Sequence, residues 1–127
     1  MAGENILVVD DEDIIGLVFK RELEAKGFNV DHVPGGEEAV KAVALKKYDL
    51  VFIDKMMPGL DGLETCKRLR KLTPESILIF MTGLLDRENM FNEWKFTEAG
   101  GKTYYLYKPF VDGELVEVVG KALKERK

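Results

Sequence analysis

Short runs of apolar residues alternate with segments of helical spacing along the whole chain. Each apolar run is bounded by turn-forming or charged residues, which is typical of a strand. Strands are predicted at residues 6–9, 28–33, 49–53, 76–81 and 103–107. In the intervening segments apolar residues recur about every three or four positions, as they do on the buried stripe of an amphipathic helix. Helices are predicted at residues 14–26, 37–47, 61–72, 86–99 and 111–126.

The order of these elements predicts an α/β fold. Alternating strands and helices form right-handed βαβ units, in which parallel strands make one sheet with helices on both faces. The chain shows no internal repeat, low-complexity segment or second domain, so residues 1–127 are expected to form a single domain. Asp13 is expected to be the N-cap of the first helix, and Gly27 stands where a glycine usually ends one.

Composition narrows the possible functions. A chain of 127 residues is long enough for one domain with a real core. A formal net charge of −4 argues against direct binding of DNA or RNA, because such binding depends mostly on a basic surface. One cysteine cannot form an internal disulfide, and no apolar run approaches the length needed to cross a bilayer. A cytoplasmic protein without membrane contact is therefore expected.

Chemically reactive side chains follow the predicted strands. The apolar run that ends at Ile53 is followed by Asp54, and turn-forming residues come soon after it. A carboxylate at the end of a buried strand emerges at the carboxyl edge of the sheet, where α/β proteins bind their ligands. Further polar groups leave the first, fourth and fifth strands at the same edge: Asp10, Asp11, Thr82 and Lys108.

Each of these groups suits one part of phosphoryl transfer. Carboxylates that lie close together repel each other and favour a hard divalent cation such as Mg²⁺, which takes oxygen ligands. Lys108 suits a phosphoryl oxygen, and the hydroxyl of Thr82 can donate to another. A carboxylate nucleophile beside Mg²⁺ and an ammonium group, here Asp54, is equipped to become an aspartyl phosphate.

Four motifs in this order resemble those of the receiver domains of two-component response regulators. They are Val8-Val9-Asp10-Asp11, Phe52-Ile53-Asp54 with the following Met57-Pro58-Gly59 and Asp61-Gly62, Met81-Thr82-Gly83, and Lys108-Pro109-Phe110. The resemblance covers the whole chain. It implies a flavodoxin-like (βα)5 doubly wound sandwich, in which a five-stranded parallel sheet has the order 2-1-3-4-5.

The resemblance also implies roles for individual residues. Asp54 would be the phosphoacceptor. Asp11, Asp54 and the backbone carbonyl of Met56 would ligate Mg²⁺ directly, and Asp10 would act mainly through a metal-bound water.

The remaining implied roles concern the phosphoryl group and the response to it. Lys108 would pair with the phosphoryl group. Thr82 would bind a phosphoryl oxygen and move toward it, and Tyr105 would turn inward in response. This switch would remodel the face formed by the fourth helix, fifth strand and fifth helix.

The partners implied are a sensor histidine kinase or phosphotransfer protein as phosphoryl donor and a downstream effector protein as target. The chain would be a monomer or a weak, phosphorylation-dependent dimer. It would be a signalling switch that catalyses only its own phosphorylation and dephosphorylation, and no external metabolite would be turned over.

Other functions remain as alternatives. A phosphatase with a nucleophilic aspartate commonly has a second acid two residues later, where this chain has Met56. A flavodoxin-like cofactor binder would need a phosphate-binding loop after the first strand, where this chain is acidic. A degenerate receiver would act as a phosphorylation-independent binding module. Lys55 has no assigned role, His32 is expected to be structural and away from the site, and Cys66 is expected to be a small core residue.

Overall fold

The computed structural model describes residues 3–54, 62–83, 105–108 and 113–124, and it describes residues 82, 83 and 105–108 by their backbone. Five strands form one sheet in the order β2-β1-β3-β4-β5, and every neighbouring pair is parallel. The strands are β1 (Asn5–Val9), β2 (Asn29–Val33), β3 (Leu50–Asp54), β4 (Ile77–Gly83) and β5 (Tyr105–Lys108). This architecture confirms the predicted fold and strand order.

Four helices pack on the sheet within the described part of the chain. They are α1 (Asp13–Glu24), α2 (Gly36–Leu45), α3 (Gly62–Leu72) and α4 (Glu114–Lys124). Helix α4 is the last of the predicted helices, whereas the helix predicted at residues 86–99 lies outside the described residues. None of the described helices is both long enough and apolar enough to cross a membrane.

Strands β1 and β3 are buried on both faces of the sheet, which explains why their sequences are apolar without alternation. Even-numbered residues of these strands pack under α1 and α4, and odd-numbered residues pack under α2 and α3. On the first face the ring of Phe19 contacts the ring of Phe52 edge-on, with the centroids 4.9 Å apart. On the other face Cys66 is fully buried, as expected for a small core residue.

The ends of α1 differ from the prediction. Asp13 is the first helical residue, and Glu12 occupies the N-cap position without a side-chain capping bond, so the prediction for Asp13 was wrong. At the other end, the amide of Gly27 donates to the carbonyl of Glu24 at 3.0 Å, which tightens the last turn. Gly27 then adopts a φ of 94°, a conformation that glycine tolerates best.

Candidate functional site

Two buried carboxylates stand at the carboxyl edge of the sheet. Asp54 is the last residue of β3, and Asp10 directly follows β1. The register pairs Val9 with Ile53, so these two acids occupy the next position along adjacent strands. Asp10 is 0% exposed and Asp54 is 5% exposed. Both acids therefore lie at the carboxyl edge of the sheet, as the strand pattern predicts.

The exposed Asp11 joins these two residues in an acidic cluster, the name used below for Asp10, Asp11 and Asp54. Each side chain offers one oxygen, and the three oxygens lie within 4.8 Å of one another. Anionic oxygens this close repel one another, and a cation between them removes the repulsion. An all-carboxylate donor set suits a hard cation such as Mg²⁺ better than a soft metal. The acidic cluster thus fits the metal that the sequence predicts.

Hydrogen bonds fix the loop that carries Asp10. Its Oδ1 accepts the backbone N–H of Glu12 at 2.9 Å, which is an Asx turn. Its own backbone N–H donates to the carbonyl of Val33 in β2 at 3.1 Å. A third bond joins its carbonyl oxygen to Nε2 of His32, at 2.7 Å. The edge strand β2 therefore holds the first acid of the acidic cluster at two points.

The contact with His32 corrects the expectation that this residue lies away from the site. His32 is on β2 beside Val8, and its ring is directed at the loop that follows β1. A histidine in a strand carries little information about its partner when only the sequence is known. The register between β1 and β2 brings the two residues together, and no local pattern predicts that register.

The backbone of the other predicted residues also reaches this edge. The partner of Asp54 in β4 is Met81, so the predicted phosphate-binding Thr82 comes one residue later. Gly83 pairs with Lys108, the last residue of β5, and Tyr105 pairs with Phe80. Two other sequence-predicted positions, Lys55 and Met56, lie outside the described residues.

A second polar cluster joins β2 to the residues that precede β3. The hydroxyl of Tyr48 donates to Oδ2 of Asp31 at 2.7 Å, and Nζ of Lys46 donates to the same oxygen at 2.9 Å. The bond from Tyr48 is the main reason why the pKa of Asp31 is lowered, and the nearby ammonium of Lys46 adds to it. This cluster ties the segment before β3 to β2 and is structural.

Known proteins match nearly the whole chain. The model of the response regulator receiver domain family matches residues 6–120. The transcriptional regulatory protein ResD of Bacillus subtilis is 37% identical over 123 residues, which are 95% of this chain and 48% of ResD. The chain spans about half the length of the curated relatives it matches.

Solved structures show the same likeness in three dimensions. The receiver domain of a Francisella response regulator is 32% identical, with a TM-score of 0.82 and coverage of 98% of this chain and 99% of that one. A CheY-like response regulator receiver domain protein from Methanospirillum hungatei is 27% identical, with a TM-score of 0.88 and coverage of 98% and 97%.

Proposed function

Since this chain belongs to the response regulator receiver domain family, we propose that Asp54 accepts a phosphoryl group in a reaction that depends on Mg²⁺. Receiver domains of response regulators are signalling switches of two-component systems. The observation that carries the proposal is the acidic cluster at the carboxyl edge of the sheet. It combines a buried nucleophile with carboxylates that can hold a cation beside it.

The transfer step requires little from the protein beyond positioning and charge neutralisation. A carboxylate oxygen of Asp54 attacks the phosphorus of a phosphohistidine, so that an O–P bond forms while the N–P bond breaks. The imidazole leaves with the bonding electron pair and takes up a proton. Asp54 is 5% exposed, so little of this residue faces bulk water.

The proposed metal ligands are Asp11, Asp54 and the backbone carbonyl of Met56, with Asp10 acting through a metal-bound water. Bound Mg²⁺ would neutralise negative charge on the phosphoryl oxygens and on the acids themselves. The two hydrogen bonds from β2 to the backbone of Asp10 support this assignment, because they hold one acid in place before the cation arrives.

The proposed phosphoryl-binding groups are Lys108 and the hydroxyl of Thr82. The register of β4 and β5, which ends with Gly83 paired to Lys108, supports a position for both beside the edge that carries Asp54. We propose that Thr82 moves toward the bound phosphoryl group and that Tyr105 follows. To be useful, such a switch must change the balance between two conformations by a few kcal/mol.

The proposed donor is a sensor histidine kinase or a phosphotransfer protein, and the proposed target is a downstream effector. The face remodelled by the switch would include β5, α4 and the segment predicted as helix at residues 86–99. We further propose that residues 1–127 act as one receiver domain, which the match of the family to residues 6–120 supports.

Phosphorylation by a small donor tests the proposal directly. The protein is incubated with acetyl phosphate and Mg²⁺, and its intact mass is measured. Wild type should gain one phosphoryl group, and the gain should disappear in EDTA. Asp54→Asn should gain none. Asp13→Asn is the matched control, because it neutralises an exposed acid on the adjacent helix that is not part of the acidic cluster.

Two results would count against the proposal. An undiminished adduct in Asp54→Asn would show that another residue accepts the phosphoryl group. Failure of wild type to form an adduct with acetyl phosphate and with a cognate kinase would favour a phosphorylation-independent binding module instead.

A further inference from the structure

The only histidine of the chain contacts the backbone of the acidic cluster. We propose that His32 is a positioning residue, whose hydrogen bond to the Asp10 carbonyl holds the loop with Asp10 and Asp11 and thereby sets the affinity for Mg²⁺. This inference rests on the proposed function, since it concerns the same metal site. His32 itself is not a ligand in it, because its Nε2 is engaged with a backbone oxygen and, among the described residues, the group of side chains that could hold the metal is formed by the three acids alone.

The direction of the hydrogen bond follows from the chemistry of the two atoms. A carbonyl oxygen can only accept, so at 2.7 Å Nε2 of His32 must carry the proton. The bond therefore excludes the tautomer that carries its only proton on Nδ1. Hydrogen bonds of this kind to the groups around a metal commonly orient its ligands and tune its affinity.

Helix α1 keeps the ring in place. Gly16 is buried against His32, and a Cβ on Gly16 would lie 2.5 Å from both Cγ and Nδ1 of the ring. Separations this short are not tolerated, so any larger residue at position 16 must displace the ring. Gly16 does not have a positive φ, which means that space rather than backbone conformation requires the glycine. The ring is thus wedged between α1 and the loop that it holds.

The Asp10 carbonyl lies next to the peptide that leads to Asp11. A bond to this carbonyl restrains the direction in which the chain leaves β1, and so restrains both acids. The other two bonds described at Asp10 involve backbone donors or acceptors of Glu12 and Val33. Of these three bonds, only the bond from His32 comes from a side chain outside the acidic cluster, so a substitution there can remove it.

A matched pair of substitutions separates positioning from packing. His32→Gln keeps an N–H donor the same number of bonds from Cα as Nε2, and His32→Met keeps the same reach without a donor. Binding of Mg²⁺ alone is measured by titration calorimetry on the full chain. His32→Met should weaken binding about tenfold, and His32→Gln should recover most of the loss. The free energy of unfolding in EDTA is measured in parallel.

Gly16→Ala provides a second test that leaves the histidine in the sequence. The added methyl should displace the ring and weaken Mg²⁺ binding in the wild-type background. It should cause no further loss in the His32→Met background, because residues that act through one contact are not additive. Alanine at this position is otherwise favourable for a helix, so an effect on Mg²⁺ binding would not reflect poor helix formation.

Nuclear magnetic resonance tests the bond in wild type without any substitution. Long-range ¹H–¹⁵N spectra should show the Nε2–H tautomer, and the imidazole signals should shift as Mg²⁺ is added. Finding the Nδ1–H tautomer would overturn the inference. The inference would also be overturned if wild type and His32→Met bound Mg²⁺ with the same Kd while His32→Met had the lower free energy of unfolding. That is the behaviour of a residue that contributes only to packing. A wild type that binds no Mg²⁺ would overturn the proposed function as well.

Discussion

Replacing Asp11 with asparagine should stabilise the protein without Mg²⁺ and remove the stability that Mg²⁺ adds. The acidic cluster brings three carboxylate oxygens within 4.8 Å of one another. Asp11→Asn removes one charge from this group and keeps the size and shape of the side chain. The wild-type residue is exposed, so little packing is lost.

The size of the effect follows from the distance. At the largest of these separations, 4.8 Å, two unit charges repel by about 0.9 kcal/mol in water and by about 3.5 kcal/mol at an effective dielectric constant of about 20. Because Asp11 is exposed and salt screens it, values near the lower limit apply. With two neighbours, the expected gain in the free energy of unfolding is about 1–2 kcal/mol.

Added Mg²⁺ should favour wild type over Asp11→Asn. A ligand that binds only the folded state, at a concentration about ten times its Kd, adds about 1.4 kcal/mol to the free energy of unfolding. Wild type should show this gain, and Asp11→Asn should show little of it. In EDTA the free energy of unfolding should therefore be higher for Asp11→Asn than for wild type. At high Mg²⁺ this difference should become smaller or change sign.

Urea unfolding followed by circular dichroism measures both quantities when it is done in EDTA and in excess Mg²⁺. Asp13→Asn is the control, because Asp13 is an exposed acid at the start of α1 that is not in the acidic cluster. It should leave the Mg²⁺ response intact. Repulsion within the acidic cluster would be excluded if Asp11→Asn were less stable than wild type in EDTA, and a role of Asp11 in binding Mg²⁺ would be excluded if Mg²⁺ stabilised both proteins equally.

Two further predictions concern residues that are not part of the acidic cluster. Tyr48→Phe should lower the free energy of unfolding by about 0.5–1 kcal/mol near neutral pH, because it removes the hydrogen bond to Asp31. The value is small because the Asp31 side chain is 46% exposed. Since the bond lowers the pKa of Asp31, the loss of stability should become smaller as the pH falls below the ordinary value of 3.8 and through the folded-state pKa. Urea unfolding over this pH range measures the loss. A loss that stayed constant would contradict the prediction. Phe52→Leu should cost about 1–2 kcal/mol because it removes the edge-on contact with Phe19, and an unchanged urea midpoint would argue against close packing there.

Local sequence patterns are enough to predict most of the described fold. Strand β3 is an apolar run because the sheet buries both of its faces, so its position is visible without any structure. The ends of elements are harder to predict. Asp13 has the side chain of an N-cap residue, yet Glu12 occupies that position, because Oδ1 of Asp10 already accepts the Glu12 amide and shapes the turn. At this helix end the hydrogen bond to Asp10 outweighs the N-cap preference of Asp13.

The groups that can carry the chemistry are recognisable from the order of residues along the chain. Asp10 and Asp54 are recognisable because each follows an apolar strand, and the alternation of elements implies that such strand ends share one edge. Which other side chains reach that edge depends on how the strands pair and how the helices pack on them. His32 meets the Asp10 carbonyl because β2 pairs with β1 in one register and Gly16 leaves room for the ring. That register joins two strands separated in the chain by the whole of α1, and it cannot be inferred from the residues that surround His32 in the chain.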